Sequence, residues 1–285
     1  MTKFKATDSE KEALEKYLLQ FLNIEKQFPL LPGIENEASV ADLMGIDHSE
    51  LTKLRALFRD NAREAAVELL KDDEVSGMIE KIPFKNNDTI IAIGDSITDD
   101  LQGWFEILKN VLDIAVPDAE FTFYNAGVSY NTSGDALRRL ERDVLSKNPD
   151  WVLVALGTFD SMRLNFAPGR TLLPLSETWE NLRTIEDAVM TVTENPIVWI
   201  TPPTVFPSLL EAMELFDFSV SEKDLRQVRE ILTGKKGYIV DPLGKRMGGR
   251  DPEAWYFLSD GLHPSLSGHL NTVKEVLKTL ATKVK

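Results

Sequence analysis

Two short stretches far apart in the chain carry the residue types needed for nucleophilic catalysis: Gly94-Asp95-Ser96 and Asp260-Gly261-Leu262-His263. A serine hydroxyl is a weak nucleophile at neutral pH. It needs an imidazole to take its proton, and that imidazole needs an acceptor to fix its tautomer. Ser96, His263 and Asp260 supply the three roles. Around them, Asp95, Asp99 and Asp100 could instead mark a magnesium site for phosphoryl transfer. N-capping by Asp99-Asp100 of a helix beginning near Leu101 is the favoured reading.

These residues need a scaffold that brings them together. Thr89-Ile90-Ile91-Ala92-Ile93 is an apolar, β-rich run, so Ser96 should sit in the turn at the C-terminal end of a buried strand, where open α/β sheets place their sites. Pro264 biases His263 to an extended conformation ahead of a last helix. From Asp88 onward strand and helix patterns alternate, which predicts parallel strands with crossover helices. The strands are expected at Thr89–Ile93, Phe121–Asn125, Trp151–Leu156, Ile197–Thr201 and Tyr238–Asp241. The helices are expected near Leu101–Ile114, Gly134–Lys147, Glu177–Thr193, Glu222–Thr233 and Leu266–Leu280. Such a chain folds as a flavodoxin-like three-layer α/β/α sandwich around a parallel five-stranded sheet. Two long loops, Ser161 to Ser176 and Pro202 to Phe218, follow strand ends and should border the site.

Residues up to about Phe84 read as helical, giving an N-terminal helical extension (1–84) and a catalytic domain (85–285). Ser9 with Glu12 forms a capping-box pattern. Leu14, Tyr17, Leu18, Phe21 and Phe28 make one apolar stripe, ended by Pro29. A second helix is expected from Asp47, with Leu51, Leu54, Phe58, Ala65 and Leu69 on its buried face.

At these motifs the chain resembles the SGNH (GDSL-type) serine hydrolases. Their first motif is Gly-Asp-Ser and their last Asp-x-x-His, here Gly94 to Ser96 and Asp260 to His263. Their second-motif glycine matches Gly127, and their third motif falls on Gly157-Thr158-Phe159-Asp160, with Phe159 in place of an asparagine that helps bind the oxyanion. The resemblance implies the same three-layer fold and a serine esterase or acyl hydrolase cleaving a carboxylic ester or thioester, including short acyl or acetyl groups on sugars. It implies backbone N–H groups of Ser96 and Gly127 as the oxyanion hole, with no side-chain donor at 159. Phe159, Asp95, Asn131 and Arg163 are the expected substrate contacts. A runner-up of another class is a binding or regulatory protein on a hydrolase scaffold, its catalysis reduced by Phe159.

The remaining features bound the partners. A net charge of −14 over 285 residues argues against nucleic acid. The pairs Arg138-Arg139 and Lys235-Lys236 read as solvated helix surface. There is no cysteine, which excludes disulfides and thiolate metal sites. No Walker-type loop or dinucleotide fingerprint is present, and His48 and His269 read as a helix-start residue and a packing or solvent-face residue, so no cofactor and no metal is expected. The expected partner is a small-molecule ester substrate, in a cytoplasmic protein without a membrane span; oligomeric state is left open.

Overall fold

The computed structural model describes residues 18–213, 217–243 and 252–282. The Ser9–Glu12 capping pattern, Leu14, Tyr17 and Phe216 lie outside the described residues.

Five strands form one parallel sheet: β1 (Thr89–Gly94), β2 (Thr122–Gly127), β3 (Trp151–Ala155), β5 (Val198–Ile200) and β7 (Tyr238–Val240), in the order β2-β1-β3-β5-β7. All five lie where the alternating pattern predicts them, within two residues at either end. Each strand points its side chains alternately to the two faces, so one β1 pair, Ile90 and Ala92, enters one core while Ile91 and Ile93 enter the other. On the first face these residues meet α4 (Trp104–Ala115) and α8 (Leu266–Leu280); on the second they meet α5 (Ser133–Asp143), α6 (Leu175–Val189) and α7 (Glu222–Thr233). Crossover helices cover both faces of the inner strands, which is why β1, β3 and β5 are apolar runs, whereas the edge strand β2 leaves Thr122 and Tyr124 exposed.

The N-terminal part contributes α1 (Glu37–Met44), α2 (His48–Leu69) and α3 (Asp73–Ile79). Leu51 and Phe58 of α2 close a cluster with Leu19, Ile34 and Val40, while Ala62, Ala66 and Leu69 further along the helix join the first core beside α4. The apolar stripe expected to run as one helix to Phe28 does not do so. Residues 18–21 form turns, only Ile24–Gln27 makes a helical turn, and Phe28 is exposed. Tertiary contacts of Gln20, Phe21 and Asn23 hold that backbone outside a regular helix.

The two long loops supply a second, two-stranded antiparallel sheet, β4 (Met162–Leu164) against β6 (Phe218–Val220). Neither strand is expected from the sequence, since three residues carry too little periodicity to register. Among the described residues no helix is long and apolar enough to cross a membrane.

Candidate active site

Ser96 opens a single helical turn, Ser96–Asp99, directly after β1. Its Oγ lies 2.8 Å from Nε2 of His263, whose Nδ1 lies 2.7 Å from Oδ2 of Asp260. An ionised carboxylate can only accept. Nδ1 therefore carries the imidazole proton, and Nε2 presents its lone pair to the serine hydroxyl. The other Asp260 oxygen, Oδ1, accepts the backbone N–H groups of Leu262 and His263, each at 2.9 Å. Burial alone would raise the Asp260 carboxyl, but its bond to the His263 ring, the histidine charge and these two N–H groups hold it below the ordinary range. The sharp turn between Asp260 and His263 depends on Gly261. Its φ is +67°, and a Cβ there would lie 2.5 Å from the Phe206 carbonyl oxygen, which itself belongs to the Pro202–Phe218 loop. Phe206 N–H donates to the Gly261 carbonyl at 2.7 Å, so that loop does border the site.

Gly127, expected as an oxyanion donor, is otherwise engaged. Its N–H donates to Asn125 Oδ1 at 2.9 Å, and a Cβ on it would collide with the backbone of Thr98 and Asp99. Glycine is needed at 127 for close approach of β2 to the serine turn. Three residues on, Tyr130 has φ of +63°, in the left-handed region that favours glycine. Among the described residues no acceptor is found for the N–H of Tyr130 or of Ser96. The Tyr130 ring stands edge-on to Phe159, centroids 5.6 Å apart. Burial, and then the nearby Asp260 charge, push its phenol up.

The expected substrate contacts divide. Phe159 is 2% exposed and packs with Met162, Val205, Leu210, Leu225 and Leu262, so it joins an apolar cluster immediately beside His263. Asp95 is buried and caps the serine turn, its Oδ1 accepting Ile97 N–H at 3.0 Å; it is a structural cap rather than a surface contact. Burial raises its carboxyl to about 7. Asn131 accepts Arg139 Nε at 2.7 Å. Arg163 is turned away into a two-point pair with Asp224, at 2.7 and 2.9 Å, and donates to the Pro168 carbonyl.

Several surface readings of the sequence are corrected. Arg139 is buried. It donates to the carbonyls of Gly94 and Ala126, at 3.1 and 2.7 Å, and to Asp143, bracing the strand ends that carry the site. Its helical phase carried the signal, since it lies three residues from buried Ala136 and next to buried Leu140. Lys235 is largely covered, bonded to Glu186 and placed over the Trp199 ring. Asp99 and Asp100 do not cap α4, whose N-cap is Gly103. Asp99 receives Lys26, Asn23 and the Ser129 N–H; Asp100 receives Gln20, the Gln102 N–H and His269 Nε2. His269 is thus a buried bridge between α8 and the serine turn, and its Nδ1 accepts Trp104 N–H. His48 opens α2 and faces Glu37 at 3.4 Å. Among the described residues no group of three or more His, Asp or Glu is arranged to hold a metal ion. One neighbour of the triad has no sequence signal at all: Phe21 stacks on the His263 ring, centroids 4.0 Å apart and planes 23° from parallel.

Residues 92–270, well over half of the chain, match the model of the GDSL-like Lipase/Acylhydrolase family. The chain belongs to that family. This GDSL-like acylhydrolase is 24% identical over 197 residues to Esterase TesA of Pseudomonas aeruginosa, a stretch covering 67% of this chain and 87% of that protein. It is 29% identical over 92 residues to an acetylxylan esterase of Geobacillus stearothermophilus, covering 27% of this chain and 42% of that one. Among solved structures, the acetylxylan esterase Axe2 of Geobacillus stearothermophilus superposes with a TM-score of 0.53 at 22% identity, covering 71% of this chain and 97% of that one. LAE5, an alpha/beta hydrolase enzyme from the metagenome of Lake Arreo, gives 0.52 at 21%, covering 69% and 96%. The three-layer fold is the shared one, and the GDSL-like acylhydrolase is an ester-cleaving hydrolase.

Proposed function

We propose that the protein is a serine esterase working through an acyl-enzyme, with Ser96 as nucleophile, His263 as base and then acid, and Asp260 as the group that orients His263. The observation carrying this reading is the unbroken chain Asp260–His263–Ser96, with links of 2.7 and 2.8 Å. It has the proton path that acyl transfer requires: the hydroxyl proton moves to Nε2 as Oγ attacks, and returns to the leaving oxygen as the tetrahedral intermediate collapses. Water then repeats the sequence on the acyl-enzyme. Catalytic mutants of the related acetylxylan esterase replace a serine, an aspartate and a histidine, which supports the same three roles here.

The oxyanion is assigned to the N–H groups of Ser96 and Tyr130. Gly127 is the weaker candidate, because its N–H is held by Asn125 Oδ1. The apolar cluster around Phe159 supports a short acyl group beside His263, and the acetylxylan esterases among the relatives make an acetyl ester on a sugar the substrate class proposed. Residues 1–84 are assigned as a helical extension and 85–285 as the catalytic domain, supported by a family match that begins only at residue 92. A cytoplasmic setting is proposed as well, supported by a sequence without cysteine that needs no oxidising compartment.

Labelling with a fluorophosphonate, followed by hydrolysis of acetylated xylo-oligosaccharides, aryl acetates and acyl thioesters, tests the assignment. The native protein should be labelled stoichiometrically at Ser96 and hydrolyse the acetyl sugar fastest, and Ser96→Ala should lose both labelling and turnover. Undiminished labelling of Ser96→Ala would remove Ser96 from the mechanism.

A further inference from the structure

The triad is enclosed. Ser96 is 0% exposed, His263 2% and Asp260 3%. Attack requires the ester carbon within about 3–3.5 Å of Oγ, and a serine without accessible surface cannot receive it. Some neighbour of the triad must therefore move, and the neighbours differ in how firmly they are held. Behind Ser96 lies β1, hydrogen-bonded on both sides within the sheet. Beside His263 lie the apolar cluster of Phe159 and the tight Gly261–Phe206 contact. Over the imidazole lies Phe21, itself 3% exposed, on a segment that pairs with no strand.

That segment, residues 18–28, is anchored on the side away from the triad by Leu19 and Ile24 in the cluster of α1 and α2 and by Glu25 on Arg55, and on the triad side it is held by polar contacts that water could replace. Gln20 Nε2 donates to Asp100 Oδ2 at 2.8 Å, and the Gln20 carbonyl accepts Leu101 N–H at 3.0 Å. Asn23 Nδ2 donates to Asp99 Oδ1 at 2.7 Å and to its carbonyl at 3.0 Å. Lys26 Nζ reaches the same Oδ1 at 2.7 Å and the Gly127 carbonyl at 3.4 Å. The Phe21 carbonyl accepts the Ser129 hydroxyl. Every one of these partners sits on the serine turn, on the two residues after it, or at or just past the end of β2. Beyond Lys26 the segment runs into the loop Phe28–Gly33, where Leu30 is 92% exposed and Gly33 has φ of +78°, a place where the backbone can turn at little cost.

We infer that residues 18–28 are a lid over the triad, closed in the structure by Phe21 on His263 and latched by Asn23 and Lys26 on the buried Asp99. The inference rests on the triad assignment for its meaning in catalysis. The enclosure itself is tested without any activity. In the closed state His263 is shielded from solvent reagents, and the lid opens to admit an ester along the face that Phe21 vacates. The width of that opening then decides which esters reach Ser96.

The experiment is acylation of the full-length protein by diethyl pyrocarbonate, with mass spectrometry resolving the three histidines, beside fluorophosphonate labelling of the same samples. In the native protein the exposed His48 should react quickly, and His263 and His269 slowly. Phe21→Ala removes the stacked ring and should raise the His263 rate about tenfold while His269 stays protected. Asn23→Ala with Lys26→Ala should act in the same direction by releasing the latch, and stands as the deciding variant if reactive His269 shows that Phe21→Ala has unfolded. Labelling of Ser96 should accelerate in parallel. A native His263 as reactive as His48, or a His263 rate unchanged in the folded variants, overturns the lid. If His263 behaves as expected while no sample is labelled at Ser96, the lid stands and the serine-esterase reading fails.

Discussion

Asp260→Asn isolates what the carboxylate does for His263. Asparagine has nearly the same shape, but one of its two positions becomes an NH2 donor. Asp260 Oδ1 accepts two backbone N–H groups, from Leu262 and His263, each at 2.9 Å, while Oδ2 faces His263 Nδ1. If the amide NH2 turned towards the backbone, two buried N–H donors would lose their acceptor, at about 1–3 kcal/mol each. The amide oxygen must therefore stay with the backbone, and the NH2 group must face Nδ1. Nδ1 then becomes an acceptor, the imidazole proton moves to Nε2, and the nitrogen facing Ser96 can no longer take the hydroxyl proton. The expected loss in kcat is about 10⁴-fold, which is about 5.5 kcal/mol of barrier. The assay is kcat on an aryl acetate, with urea unfolding of the same preparation to show that the fold is intact. A folded Asp260→Asn within tenfold of the native kcat would refute the tautomer argument and, with it, the role of Asp260.

Two further outcomes follow from burial. Phe159→Asn puts an amide into the cluster of Met162, Val205, Leu210, Leu225 and Leu262. Losing a buried Phe side chain costs about 3–5 kcal/mol and an unpaired buried amide about 1–3 more, so urea unfolding should show a large loss of stability with no gain in kcat; a stable variant with faster turnover would show instead that the ring occupies a donor's place. Asp95 has a folded-state value of about 7 against an ordinary 3.8, so between those values the folded protein keeps a proton that the unfolded chain has lost. Its contribution is present at acid pH and falls as the pH rises through about 7. Asp95→Asn keeps a cap acceptor for Ile97 N–H without the charge, so its stability relative to the native protein should improve from about pH 5 to about pH 8; a difference that does not change with pH would rule out a neutral Asp95.

The order of strands and helices from Thr89 onward and the covered sheet were legible in the sequence, and so were Ser96, His263 and Asp260 as the candidates that the fold brings into hydrogen-bond contact, because each is a local signal. Period-two and period-3.6 patterns declare strands and helices, and Gly94-Asp95-Ser96 and Asp260 to His263 carry their chemistry in residue type and short spacing. What only the tertiary structure decided depends on residues distant in sequence. Gly127 stands at the end of a strand in either view, but that its N–H is taken by Asn125 and its bare Cα is needed against Asp99 follows from packing. The strained backbone of Tyr130 leaves no mark on residue type. Asp99 and Asp100 look like helix caps until Gln20, Asn23, Lys26 and His269 converge on them from both ends of the chain. Phe21 belongs, by sequence, to an apolar stripe; its place on the His263 ring is set by those same long-range bonds, whose partners lie 73 or more residues apart along the chain, a distance over which no local periodicity reports.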